Sequence, residues 1–183
     1  MKIKFLFYFF LLVCSGCFDL TSKPAPLTST GNPCLPGQTC SLTPGTVEEN
    51  IYTNQTAKLV VTFPETWSVE ETKVTDTSYD VVFSSPDTTE KTIATMTLSL
   101  LISQPESLDE YLQDEFPTLS ITPVSTAHLS GFSYNDQAPG PNGGDLQRYF
   151  FLNKHIFVDI KAEIFPSRMQ EYKTLLDGSK FTE

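Results

Sequence analysis

Histidine is nearly missing from this chain: His128 and His155 are the only two in 183 residues. A general base working near neutral pH is usually histidine, and a carboxylate needs strong burial to replace it. Neither histidine belongs to a G-x-S-x-G elbow, an H-E-x-x-H pair or an H-x-H pair. Ser130 stands two residues from His128, a spacing that within a strand means only a shared face. His155 falls at the start of a strand and is expected to be exposed. The chain is therefore expected to be no enzyme and to hold no cofactor; the alternative is a hydrolase whose site is assembled in space from distant residues. Basic residues are also scarce, 12 against 22 acids, for a formal charge of −10. They form no cluster, and an acidic surface without one repels nucleic acid and anionic headgroups. Nucleic acid is excluded as a partner. No apolar run approaches the roughly 20 residues that span a bilayer as a helix, and no internal repeat is visible.

The N-terminus is the most informative segment. Lys2 and Lys4 precede an unbroken apolar run from Phe5 to Val13, the pattern of an export signal. The run leads into Val13-Cys14-Ser15-Gly16-Cys17. This resembles the lipobox of bacterial lipoproteins, with Cys14 standing where that group prefers leucine. The resemblance implies a signal peptide over 1–16, cleavage before Cys17, and lipidation of Cys17. The lipid bilayer is then a partner through Cys17, and more than one acyl chain makes such attachment durable. Loss of 1–16 removes Lys2 and Lys4 but no acid, taking the charge from −10 to −12. Phe18 occupies the place where aspartate retains such proteins on the inner membrane. The outer membrane, facing the periplasm, is the expected address.

Residues 17–50 are rich in Thr, Ser, Pro and Gly and show no apolar period. Such a composition buries too little surface to offset ordering, so a flexible tether is expected, with a reach of roughly 30 Å. Cys34 and Cys40 lie within it, and in an oxidising compartment they are expected to form a local disulfide. Their spacing is not C-x-x-C, and no His or further Cys lies close enough in sequence to complete a zinc site.

From Ile51 the pattern changes, and a single α+β domain is expected over 51–183. Leu59, Val61 and Phe63 alternate with polar or exposed neighbours up to Pro64; Tyr79, Val81 and Phe83 do the same. Ala94, Met96, Leu98 and Leu100 share one strand face. Leu146–Leu152 and Ile156–Ile164 read as a hairpin about Asn153-Lys154. In its second arm Asp159, Lys161 and Glu163 oppose an apolar row. Two helices interrupt the strands. Ser107 and Glu110 form a capping box before the Leu108, Tyr111, Leu112, Phe116 stripe. Ser167 and Gln170 repeat that signature before Met169, Tyr172, Leu175 and Leu176. Gly178 is placed to stop the second helix in a left-handed conformation. Trp67 is expected in the core.

Several of these pieces resemble the PsbP-like superfamily, which includes photosystem II extrinsic proteins, the Ran-binding Mog proteins and DcrB-type lipoproteins. The resemblance rests on Val60-Val61-Thr62-Phe63-Pro64-Glu65-Thr66-Trp67, on Ser107-Leu108-Asp109-Glu110-Tyr111, and on Leu129-Ser130-Gly131-Phe132. It closes with Glu171-Tyr172 through Leu175-Leu176 to Ser179-Lys180-Phe181-Thr182. It implies an α/β/α sandwich around a mainly antiparallel sheet, and a binding or assembly role. That superfamily shares no functional motif, so no site residue transfers.

One segment stands out as a candidate contact surface, the Gly- and Pro-rich stretch from Asn135 to Asp145. A long loop on a rigid domain is often functional, which makes Asn135, Asp136, Asn142 and Asp145 the candidate partner-binding residues. Their oxygens also suit a weak calcium site, but the spacing is not that of an EF-hand, and turn chemistry accounts for the composition. The expected function is a membrane-anchored, non-catalytic binding or assembly factor whose partner is an unidentified envelope protein. A hydrolase and a weak calcium-binding module are the alternatives.

Overall fold

The computed structural model describes residues 40–86 and 89–183. Eleven strands and two α-helices appear among them. In chain order the strands are β1 (Thr46–Glu48), β2 (Ile51–Asn54), β3 (Leu59–Thr62), β4 (Ser68–Thr75), β5 (Ser78–Ser84) and β6 (Ile93–Leu100). After α1 (Leu108–Glu115) come β7 (Thr122–Ser125), β8 (Ser130–Pro139), β9 (Asp145–Asn153) and β10 (Ile156–Ile164). A 3₁₀ turn at Pro166–Arg168 leads into α2 (Met169–Asp177), and β11 (Ser179–Phe181) follows. The strands form a four-stranded sheet, β1-β2-β3-β11, and a seven-stranded sheet, β4-β5-β6-β10-β9-β8-β7. Every pairing in both is antiparallel.

This is a mostly antiparallel β fold, which corrects the α+β class and the α/β/α sandwich expected from the sequence. The physical reason lies on one face of the large sheet. There the small sheet delivers Tyr52, Leu59 and Val61 against Val81, Phe83, Ala94, Met96 and Leu98, all in one buried cluster. The Phe63 and Phe83 rings lie 5.5 Å apart across this junction. From α2 the cluster receives Tyr172, Leu175 and Leu176. On the opposite face α1 seals a smaller cluster of Leu112, Phe150 and Phe157. The alternation read in β3, β5 and β6 holds residue by residue, each strand burying every second side chain.

Ser107 caps α1, its Oγ accepting from the Glu110 amide at 3.2 Å. Ser167 does not cap α2: it donates instead to the Glu90 carboxylate, and the helix starts from the 3₁₀ turn with no side-chain cap. Gly178 is right-handed, with φ −78° and ψ −7°. Its small size is required for close approach, since a Cβ there would sit 2.4 Å from the Thr62 carbonyl oxygen. The β9–β10 turn is also displaced by one residue. Asn153 pairs with Ile156, and Lys154 takes the positive φ of 56°.

The compact part of the domain starts before Ile51. Leu42 is buried at 3 % exposure, and its amide donates to the Asp76 carbonyl at 2.9 Å. The Gly45 amide and the Tyr52 hydroxyl both donate to Glu71, at 2.9 and 2.7 Å. Burial first of all, and then the Glu71 carboxylate, hold the Tyr52 phenol above its usual range. Residues 42–50, read from composition as tether, thus pack onto β4 and β2. Among the described residues no helix is long and apolar enough to cross a membrane.

Replacing Leu42 with Ala should lower stability by about 2–4 kcal/mol, the range for a buried leucine truncation. A urea titration reads this directly; an unchanged midpoint would return residues 42–50 to the tether.

Trp67 is buried at 4 % exposure, and its Nε1 donates to Glu171 at 2.6 Å. That bond and the neighbouring Arg168 hold the Glu171 carboxyl below its ordinary value of 4.5. A carboxyl depressed by folding contributes stability above its unfolded value and loses it as pH falls through the folded one. Trp67 is the single tryptophan. Its fluorescence should therefore show a transition below pH 4.5 that disappears in Glu171→Gln.

Candidate functional site

β10 lies inside the large sheet, between β6 and β9, and Lys161 is its only exposed residue. The register places Phe157, Asp159, Lys161 and Glu163 on the face away from the small sheet. Phe157 packs under α1, with its ring 4.9 Å from Tyr111. The next two acids on that face are buried, Asp159 and Glu163 each at 6 % exposure. A buried carboxylate must be paired or fully hydrogen-bonded to be tolerated, and the structure meets this demand in two different ways.

Asp159 is paired. Arg148 lies on the neighbouring strand and donates Nε to Oδ1 at 2.8 Å and Nη2 to Oδ2 at 2.5 Å. Its guanidinium lies 4.6 Å from the Phe116 ring centroid and 4.8 Å from that of Phe150. The two-pronged bond suits arginine and would not survive replacement by lysine. Lys161 Nζ stands 3.9 Å from the same carboxylate while its side chain remains 58 % exposed.

Glu163 is caged by a turn. Its Oε1 accepts from the Asn142 and Gly144 amides at 2.7 and 3.1 Å, and its Oε2 accepts from Asn142 Nδ2 at 2.7 Å. Gly140 donates to the Gly144 carbonyl at 2.7 Å, and Gly143, at φ +92°, donates back to Gly140 at 3.0 Å. A Cβ on Gly140 would come within 2.5 Å of the Glu163 carboxyl carbon. The glycines are therefore the room that a buried carboxylate needs.

This corrects the reading of residues 135–145 as a long solvated loop. β8 continues to Pro139, β9 begins at Asp145, and Pro139 faces Asp145 in register. A register irregularity between Asn135 and Pro139 takes up the extra residues. Asn135 is exposed opposite Gln147, and Asn142 sits exposed at the turn with its amide bound to Glu163. Asp145 is exposed at the start of β9, opposite Ile164. Asp136 lies in β8, and its side chain is outside the described residues. So are Cys17 and Cys34; Cys40 is disulfide-bonded. Among the described residues no group of three or more His, Cys, Asp or Glu is placed to hold a metal ion.

Beside the turn runs a groove of about 200 Å³, lined by Tyr134, Leu146, Gln147, Arg148, Lys161 and Ala162. Tyr134, Arg148 and Lys161 form one cross-strand row. The groove and the caged turn together are the candidate site. Sequence reading had Asn142 but missed Arg148 and took Asp159, Lys161 and Glu163 only as a polar face. The available signal was two acids and a lysine alternating through an otherwise apolar central strand.

The histidines end up apart in character. His128 is exposed in the β7–β8 turn, its amide donating to Thr126 Oγ1 at 3.4 Å. His155, expected to be exposed, is buried at 4 %, and its Nδ1 has no hydrogen-bond partner. The tight β9–β10 turn folds it inward beside Leu101, whose amide donates to the His155 carbonyl at 2.8 Å.

Replacing Glu163 with Ala should cost about 2–4 kcal/mol, because two backbone donors and an amide lose a charged acceptor. Amide hydrogen exchange at Asn142 and Gly144 should accelerate at the same time. Glu163→Gln, which keeps one acceptor oxygen, should fall between. Unchanged exchange in the alanine variant would show that the cage does not hold the turn.

No family model matches the sequence, and no curated protein matches it. A crystal structure of a protein from Bacteroides thetaiotaomicron VPI-5482, solved at 1.50 Å, superposes with a TM-score of 0.46 at 12 % identity. The superposition covers 68 % of this chain and 45 % of that one, so the chain spans less than half the length of this structural neighbour.

Proposed function

We propose that this chain is a lipid-anchored, non-catalytic binding or assembly factor of the bacterial envelope, docking its partner on the β8–β9 turn and the groove beside it. The observation that carries this reading is the Glu163 cage. A buried carboxylate costs folding free energy unless several donors surround it, and here those donors are spent on fixing one surface turn. A turn fixed before binding loses little further freedom when a partner arrives. The adjacent groove supplies both an apolar wall at Leu146 and polar tips at Tyr134 and Lys161, the mixture typical of recognition sites. The anchor rests on the Ser15-Gly16-Cys17 sequence after the apolar run, and the outer membrane on Phe18.

Two measurements test this. Cys17→Ala should release the protein from membranes or leave it uncleaved; identical fractionation and migration would remove the anchor from the proposal. A photo-crosslinking residue at Asp145 should give a discrete adduct in intact cells, while the same residue at Lys73 gives none. Absence of any adduct at Asp145, or equal adducts at both places, would remove the docking face.

A further inference from the structure

β9 and β10 set two cations directly opposite each other. Lys161 pairs with Arg148 in register, and Tyr134 continues the row on β8. Like charges facing each other across an antiparallel pair destabilise it. One carboxylate stands against both, Asp159, and each of its oxygens already accepts from Arg148. Lys161 Nζ stops 3.9 Å from it, outside hydrogen-bonding reach. The other acid on this face of β10, Glu163, is occupied by the three donors of the turn. On the far side of Lys161 the neighbour in register is the uncharged Thr95 of β6. The row of Tyr134, Arg148 and Lys161 therefore keeps one positive charge beyond what Asp159 balances, in a chain whose formal charge is −10.

All three residues of the row line the groove. Among the described residues the Tyr134 hydroxyl and the Lys161 ammonium donate no hydrogen bond, and Arg148 makes none through Nη1. The Phe116 and Phe150 rings lie against the guanidinium and Asp159 takes one of its edges, so Nη1 is the nitrogen it has left to offer. Three donors, two of them cationic, thus share the groove with the apolar side chain of Leu146. At about 200 Å³ the groove falls below the roughly 300–1,000 Å³ of small-molecule and cofactor pockets. It has room for one or two side chains of a polypeptide.

We infer, building on the docking reading above, that the occupant of this groove is an acidic segment of a partner protein, presenting an Asp or Glu carboxylate beside an apolar side chain. The carboxylate enters between Lys161 and Arg148 Nη1, where it relieves their repulsion, and accepts from the Tyr134 hydroxyl. A carboxylate offers about four acceptor sites, enough for all three donors. The apolar neighbour lies along Leu146. The net charge of the chain repels an acidic segment everywhere else, so the local charge match selects both the partner and its register.

A fluorescent peptide of alternating leucine and glutamate, titrated into the full chain, tests the inference, with a leucine–glutamine peptide and anionic phospholipid vesicles as comparisons. The glutamate peptide should bind at least about fivefold more tightly than the glutamine one, the scale of one exposed ion pair, and vesicles should not be retained. Lys161→Gln should remove most of that preference. Lys161→Glu should weaken the glutamate peptide at least about tenfold by placing like charges together. Neither should move the melting temperature by more than a few degrees, because the side chain is 58 % exposed. Lys180→Gln removes the same charge from exposed β11 and should leave affinity within about twofold. Equal binding of the two peptides, undiminished binding in Lys161→Glu, equal weakening by Lys180→Gln, or vesicle binding that depends on Lys161 would each overturn the acidic occupant. Repeating the Asp145 crosslink in Lys161→Glu separates this inference from the docking face it builds on. Loss of the adduct supports the acidic occupant; an adduct that persists leaves the docking face in place and overturns the occupant.

Discussion

Two carboxylates buried in a central strand set the terms for much of this structure. β10 must be apolar enough to join two cores, yet it carries Asp159 and Glu163 where water does not reach. Each is tolerable only because a particular neighbour was recruited. Arg148 answers Asp159, and its flat cation also fills the space between Phe116 and Phe150, so the pair helps to define where α1 ends. Glu163 is answered by backbone, and that requirement shapes the β8–β9 turn down to the identities of Gly140 and Gly144. Ion pairs of this kind specify an arrangement more than they stabilise it, since removing one member is costlier than replacing both.

Strands with strict alternation were legible in the sequence. β3 buries one side against the large sheet, and β5, β6 and β10 each bury one side against the small sheet or α2; their apolar residues recur at every second position. Elements without that demand were not legible. β4, Ser68–Thr75, is an edge strand with exposed polar side chains, and β7 holds Pro123 at the opposite edge. Edge strands are commonly polar or interrupted because an open apolar edge invites aggregation, so the feature that protects them also conceals them. Missing these two, together with β1 and β2, and reading the end of β8 as a loop, left too few strands to recognise two sheets, and helices were assigned to a face that the small sheet largely covers.

The candidate site was legible in part for a related reason. Gly and Pro between residues 139 and 144 mark a turn in any sequence, but their role here depends on Glu163, twenty or so positions later along the chain. Local composition suggested solvent; a distant buried charge decided otherwise. His155 shows the same gap, since its burial follows from a turn one residue away from where the sequence placed it. Trp67, by contrast, needed only its size to be assigned inward, and its indole nitrogen found Glu171.

The cage around Glu163 also bears on how the protein ages. Asn142 precedes Gly143, and an Asn-Gly pair loses ammonia when the glycine nitrogen attacks the asparagine side-chain carbon to close a succinimide ring. That attack needs the Gly143 nitrogen and the Asn142 amide free to turn toward each other. Here the first is bonded to the Gly140 carbonyl and the second to Glu163. The contacts that give the turn its shape thereby lengthen its chemical lifetime. Once they open, the new carboxylate would face Glu163 as a like charge, so the damage would tend to keep the turn from closing again.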